Sequence, residues 1–342
     1  MRLCNLQRVS CGMRKLCVFI ATVCLACGTH AATVWIDTDI SIGSPIREVD
    51  DAFALVLAFH SPESRIAGLS TTYGNASLGH TTRAARDLVQ RFGRSAGLTV
   101  DDVFPGAGSR GDLGRRSEAC DALAAALEKQ KVIYIALGPL TNLASFLQLH
   151  PQAANRIERV IFVGGQSPGA SLAFGPNKSF HIHDANVFKD SAATAAVLRS
   201  NIPLTLVPIA TSSNLLIDGA NLRRLEESGE AGNYLSRQSR IWLWFWSHFV
   251  RTNGGPIFDA LAIIPTTRPD LLSMEKRYAK MDRAGNLVVT TRLTSGGRPV
   301  RYCTRFAPGT KRFVMQRLMS RRANNKEGRF PNRPGGLETA AP

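Results

Sequence analysis

The stretch "DTDISIGSPIREVDD", residues 37–51, carries five acids in fifteen positions, between the apolar "ATVWI" (32–36) and the apolar "AFALVLAF" (52–59). An apolar run ending in acids and followed by a second apolar run reads as a buried strand, a polar loop and a buried helix. Asp37 and Asp39 lie two apart at the strand end, so they point the same way, whereas Asp50 and Asp51 stand at a helix N-terminus. One carboxylate is enough to cap a helix. Several packed together repel unless a positive charge lies among them, and a hard divalent cation such as Ca²⁺ is the natural partner for oxygen ligands.

The same alternation extends along the chain. "RIAGLSTTYG" precedes "GHTTRAARDLVQRFG", "KVIYIAL" precedes "TNLASFLQL", and "RVIFVGG", "DSAATAAVLRS" and "PLTLVPI" follow. Strands alternating with helices predict an α/β fold, an open and mostly parallel sheet flanked by helices. Ligands bind such sheets beyond the carboxyl ends of the strands. The polar groups gather there: Asp37 and Asp39 after the first strand, Asn75 after the second, and Asn177, Asp184 and Asn186 after "RVIFVGG".

Of the 342 residues, 44% are hydrophobic, which suits a domain with a substantial core. Residues 1–31 differ from the rest: Arg2, Arg8, Arg14 and Lys15 precede "LCVFIATVCLA", there is no acid, and "GTHAA" supplies small residues. This is the layout of a secretory signal peptide cleaved near Ala31 or Ala32, and it predicts export to a periplasmic or extracellular location. The apolar run is too short to span a bilayer comfortably, so no span is expected after cleavage. Cys27 also admits a lipoprotein. Five of the seven cysteines fall in this leader, so Cys120 and Cys303 allow one disulfide and require none.

Net charge is +16, and removing the leader leaves +12, half of it from Lys311 onward. The expected organisation is therefore one domain over 32–311 and a basic, disordered tail over 312–342. Basic residues do not interleave with aromatics along folded elements, so nucleic acid is not an expected partner. Homodimer and homotetramer both stay open.

Further along, the motifs "TTYGN" (71–75), "ALGPLTNLA" (136–144), "IFVGG" (161–165), "DANVFKDSAA" (184–193) and "FDALA" (258–262) follow the Asp-rich block. In that order, over about residues 33–265, the chain resembles the inosine-uridine-type nucleoside hydrolases. The resemblance implies an open α/β fold with a Rossmann-like core, and a tightly bound Ca²⁺ that holds the ribose hydroxyls and the attacking water. It implies Asp39, Asp51, Asp259 and the backbone carbonyl of Leu137 as metal ligands, with Asp39 also the general base. Asp50, Asn75, Asn177, Asp184 and Asn186 are implied as ribose contacts, with Asp37 supporting them from behind. The activity implied is hydrolysis of ribonucleosides to free base and ribose.

Three departures stand out. Ten residues, "ISIGSPIREV", separate Asp39 from Asp50 where the family's common motif has three. Asp184 replaces a Glu. Phe258 replaces the His that protonates the departing base in many members. In "IWLWFWSHF", Trp242 and Trp246 share a helix face, which reads either as core or, at Trp246, as a platform for a nucleobase. His181 and His183 are expected to be structural, and His248 to be without a role. Two rival readings accompany the hydrolase: a ribosyl- or sugar-binding protein that keeps the metal site with little chemistry, and a haloacid-dehalogenase-type phosphatase with Asp37 in "DTDIS" as nucleophile.

Overall fold

The computed structural model describes residues 31–43, 47–170 and 172–320. The leader reading, residues 1–31, lies outside the described residues but for Ala31, as does the last part of the expected tail, 321–342.

The first strand, β1 (Ala32–Thr38), lies between β2 (Ser64–Thr71) and β4 (Val132–Ala136), parallel to both. Strand β3 (Val103–Pro105) closes one edge beside β2, and β5 (Ile157–Val163) continues the sheet beyond β4. Beyond β5 comes Leu204–Val207, also parallel, then Arg298–Phe306, Leu272–Met281 and Leu287–Thr290. Arg298–Phe306 pairs parallel to Leu204–Val207, while Leu272–Met281 is antiparallel to both of its neighbours. The sheet is thus mostly parallel with an antiparallel flank, as many open α/β sheets are.

Alternation along β1 feeds two cores. Val34 and Ile36 pack on one face and Trp35 on the other, where its ring stacks on Phe104 at 5.7 Å and its indole N–H donates to Ser70 at 2.9 Å. Helix α1 (Asp50–Phe59) is buried along its whole length, as "DDAFALVLAF" requires of a helix apolar on every side. Cys303 belongs to the first core and Cys120 to the second, and both are free and buried. The optional disulfide is therefore absent because the sheet lies between them.

The structure corrects the expected tail boundary at 312. Gly309–Leu318 is a helix whose Phe313, Val314, Met315 and Leu318 are buried, while Arg312 and Gln316 face outward. Its end is fastened to the turn after α1, where Arg317 donates to the His60 carbonyl at 3.1 Å and pairs with Glu63. Of the basic residues counted in the tail, Lys311, Arg312 and Arg317 belong to this helix, whose other face is apolar.

Candidate active site

Because β1, β2, β4 and β5 are parallel, their carboxyl ends share one edge, and the acids assemble there. Asp39 follows β1, Asp50 and Asp51 open α1, and Asp259 lies in the turn Phe258–Ala262. All four are buried, and one oxygen each from Asp50, Asp51 and Asp259 lies within 4.8 Å of the others. Burial pushes the carboxyls of Asp50, Asp51 and Asp259 well above the ordinary range, and the neighbouring acids push them further. Thr38 donates to Asp51, but Asp39 Oδ1 and Asp50 Oδ1 find no hydrogen-bond partner among the described residues. Buried charges without partners cost several kcal/mol each, roughly, unless a cation compensates them. An all-oxygen donor set with orphaned carboxylate oxygens fits a hard divalent cation.

Asp39 is held in a narrow slot. A Cβ on Gly74 would lie 1.9 Å from Asp39 Oδ2, and one on Gly138 would lie 3.0 Å from Asp39 Oδ1. The "YGN" and "LGP" glycines therefore admit the carboxylate from two sides. The Asn75 amide donates to Asp39 Oδ2 at 2.8 Å, and Lys189 Nζ donates to the same oxygen at 2.9 Å and to Asn75 Oδ1 at 2.8 Å. Lys189 was not read from the sequence as a site residue. It ends the short helix α2 (Ala185–Lys189), three positions after Asn186, so both reach the same side. That spacing within "NVFK" was the available signal.

The other expected residues divide into two groups. Asn186 is buried beside Leu137, and its amide donates to the Leu137 carbonyl at 2.6 Å and to the Val163 carbonyl at 3.1 Å. Asn75 also reaches Asp51 at 3.4 Å. Asp184 instead turns to the backbone of Gly165, accepting its N–H at 2.6 Å, and does not line the cavity described below; burial raises its carboxyl to about 6. Asn177 is exposed at φ 57° in the turn Pro176–Lys178 and does not line the cavity either. Asp37 sits behind the site, accepting from Ser70 at 2.6 Å and from Asn142 at 2.8 Å, and burial lifts it to about 7. A fully buried Asp37 pinned by two donors is badly placed to attack a phosphate, which removes the structural basis of the phosphatase reading.

A cavity of about 330 Å³ opens above the acids. Its lining combines polar groups, Glu48, Asp50, Asn75, Asn186, Lys189 and Asp259, with the apolar side chains of Ile182, Phe180, Phe245, Trp246 and Phe258. Trp246 lies in a π-helical segment, Phe245–Phe249, a backbone irregularity frequent at functional sites. Its ring meets Phe174 at 5.3 Å, Phe180 at 5.9 Å and Phe258 at 6.2 Å, each edge to face. Trp246 is thus a buried member of the core that also lines the cavity. Trp242 is buried too, and its N–H donates to Glu48 Oε2 at 2.8 Å. Glu48, unforeseen, comes from the enlarged loop, and burial raises it to about 7. His183 lines the rim, stacked on Phe188 at 5.3 Å, whereas His181 and His248 lie outside the lining.

The family profile described as "Inosine-uridine preferring nucleoside hydrolase" matches residues 34–308, most of the chain. The chain belongs to this family. Among characterised relatives, it is 27% identical over 296 residues to uridine nucleosidase 1 of Arabidopsis thaliana, covering 79% of this chain and 83% of that protein. It is 26% identical over 283 residues to the non-specific ribonucleoside hydrolase RihC of Escherichia coli, covering 75% and 86%. The same fold is found in a plant nucleoside hydrolase, PpNRh1, with TM-score 0.72, 21% identity and coverage of 85% of this chain and all of that one. A purine-preferring ribonucleoside hydrolase from Gardnerella vaginalis superposes with TM-score 0.69 at 19% identity, covering 84% and 98%. In nucleoside hydrolases the scissile bond is an N-glycosidic one, which agrees with a cavity lined by both acids and aromatic rings.

Proposed function

We propose that this nucleoside hydrolase is an exported enzyme that cleaves ribonucleosides to free base and ribose with the aid of one Ca²⁺. The observation that carries the reading is one cavity lined both by acids of a buried cluster and by a group of aromatic rings in mutual contact. A pentose suits the first and a flat heterocycle the second.

Asp39, Asp51, Asp259 and the Leu137 carbonyl are the ligand set implied by the resemblance; the acids whose oxygens converge within 4.8 Å are Asp50, Asp51 and Asp259, with Asp39 beside them. A bound divalent cation would supply positive charge that seats vicinal hydroxyls and acidifies a water. The chain's own groups do the remaining work. Asp50, Asn75 and Asn186 line the cavity with side chains of the kind that hydrogen-bond hydroxyls. Asp39, with Oδ1 uncommitted, is the base that takes a proton from water. Cleavage passes through an oxocarbenium-like state, whose charge the surrounding carboxylates stabilise.

Phe258 lines the cavity where many members have His, so this position donates no proton to the departing base. The ring cluster of Phe180, Trp246 and Phe258 offers a base a stacking surface, which favours purines, whose larger ring system gains more from stacking. Phe258 and the enlarged loop between Asp39 and Asp50 are the features that favour the rival reading of a binding protein with weak chemistry. Incubating the purified chain with inosine and with uridine plus Ca²⁺, then separating the products, decides between them. Equal amounts of free base and ribose, faster from inosine, support the proposal; bound but intact nucleoside supports the rival.

A further inference from the structure

Lys189 stands between the acid cluster and the cavity. Its side chain is 19% exposed and lines the cavity, whereas its partner Asp39 is 1% exposed and does not line it. Asn75, the other residue holding Asp39 Oδ2, also lines the cavity, so Asp39 lies behind a lid of two groups bonded to each other. Among the described residues, Lys189 is the one cation that forms an ion pair with any of Asp39, Asp50, Asp51 and Asp259. Its charge also acts on Glu48, Asp51 and Asp259.

We infer that Lys189 is a resident counter-ion of this cluster, and that a divalent cation and the Lys189 ammonium compete for Asp39. One positive charge keeps the slot assembled in the absence of metal by tying Asp39 to Asn75. It offsets only a fraction of the negative charge gathered there, so the cluster still attracts a divalent ion. An ammonium and a divalent ion on the same carboxylate repel each other strongly at a few ångströms. Loading therefore drives Lys189 from Asp39 Oδ2 towards the cavity, which uncovers Asp39 and leaves an ammonium where a ribose oxygen can accept from it. Lys189 is in this sense a positioning residue. It lowers the affinity for the metal in return for a preformed metal-free site.

The inference rests on the metal reading above, and its test reads metal binding rather than turnover. The full chain, stripped with chelator, is titrated with CaCl₂ by calorimetry as wild type, Lys189→Met and Lys189→Gln; Gln keeps hydrogen bonding without charge and serves if the Met variant does not fold. Removing the charge is expected to tighten Ca²⁺ binding by about tenfold and to lower the melting temperature of the stripped protein. Unchanged or weaker Ca²⁺ binding in the folded variants, with wild-type binding intact, overturns this inference alone. If wild type and variants alike take up no Ca²⁺, the metal reading falls, and the inference with it.

Discussion

Gly74 and Asp39 are in such close contact that a single methyl group on Gly74 would lie 1.9 Å from Asp39 Oδ2. Gly74→Ala therefore has to push the carboxylate out of its slot, away from the Asn75 amide that holds it at 2.8 Å. Displacing a reacting group by an ångström costs roughly a hundredfold in rate. The expected outcome is a loss of ribose release of about that size, with the far-ultraviolet circular dichroism of the wild type; full activity would show that Asp39 need not occupy this position.

Asp39→Asn keeps the shape of the side chain and removes its charge and its basicity. Ribose release should fall by roughly 10²–10⁴-fold, the usual worth of a positioned base. The secondary structure should be unchanged, because Asn can still accept from the Asn75 amide and from Lys189. Turnover close to wild type would remove Asp39 from the chemistry.

Trp246 has two roles that two substitutions separate. Trp246→Ala leaves a hole among Phe174, Phe180 and Phe258 and should cost about 3–5 kcal/mol, read as a lowered denaturant midpoint. Trp246→Phe keeps an aromatic ring in the wall, so most of the stability should survive. If the indole carries the base, the Michaelis constant for inosine should rise several-fold more than that for uridine.

The metal-free protein should lose stability as the pH rises. Burial raises Asp37 and Glu48 to about 7 and Asp184 to about 6, above the roughly 3.9–4.3 of an unfolded chain. A carboxyl raised in the folded state binds its proton more tightly there, so its contribution is full below about pH 4 and is lost as the pH climbs through 6 to 7. Melting in chelator should therefore be lower at pH 8 than at pH 5, by roughly 5 °C or more. A melting temperature that rises over that interval would contradict the assignment.

The parts of the site that were legible in the sequence lie next to strand ends. Asp37, Asp39, Asp50 and Asp51 sit in one short segment between two apolar runs, and chain direction alone brings them to the ligand edge of the sheet. Asp184 and Asn177 escaped because backbone geometry, not spacing, aims them: one is consumed by the Gly165 amide and the other stands on an exposed left-handed turn. Lys189 and Glu48 escaped because long side chains reach the cluster from a helix end and an enlarged loop, and charge alone does not show where they point. The helix Gly309–Leu318 was hidden by its composition: "KRFVMQRL" is basic on average and apolar along one face. The antiparallel strands from Leu272 to Phe306 carry exposed charge on an outer flank, which mutes the apolar signal that marked the central strands.

The central claim, that these acids act through one divalent cation to split ribonucleosides, is tested most directly by ribose release from inosine before chelation, after chelation and after CaCl₂ is returned. The account predicts loss of release on stripping and its recovery at one equivalent of bound Ca²⁺ per chain, with no recovery in Asp259→Asn. Undiminished release by a stripped protein shown to hold no divalent ion would contradict it.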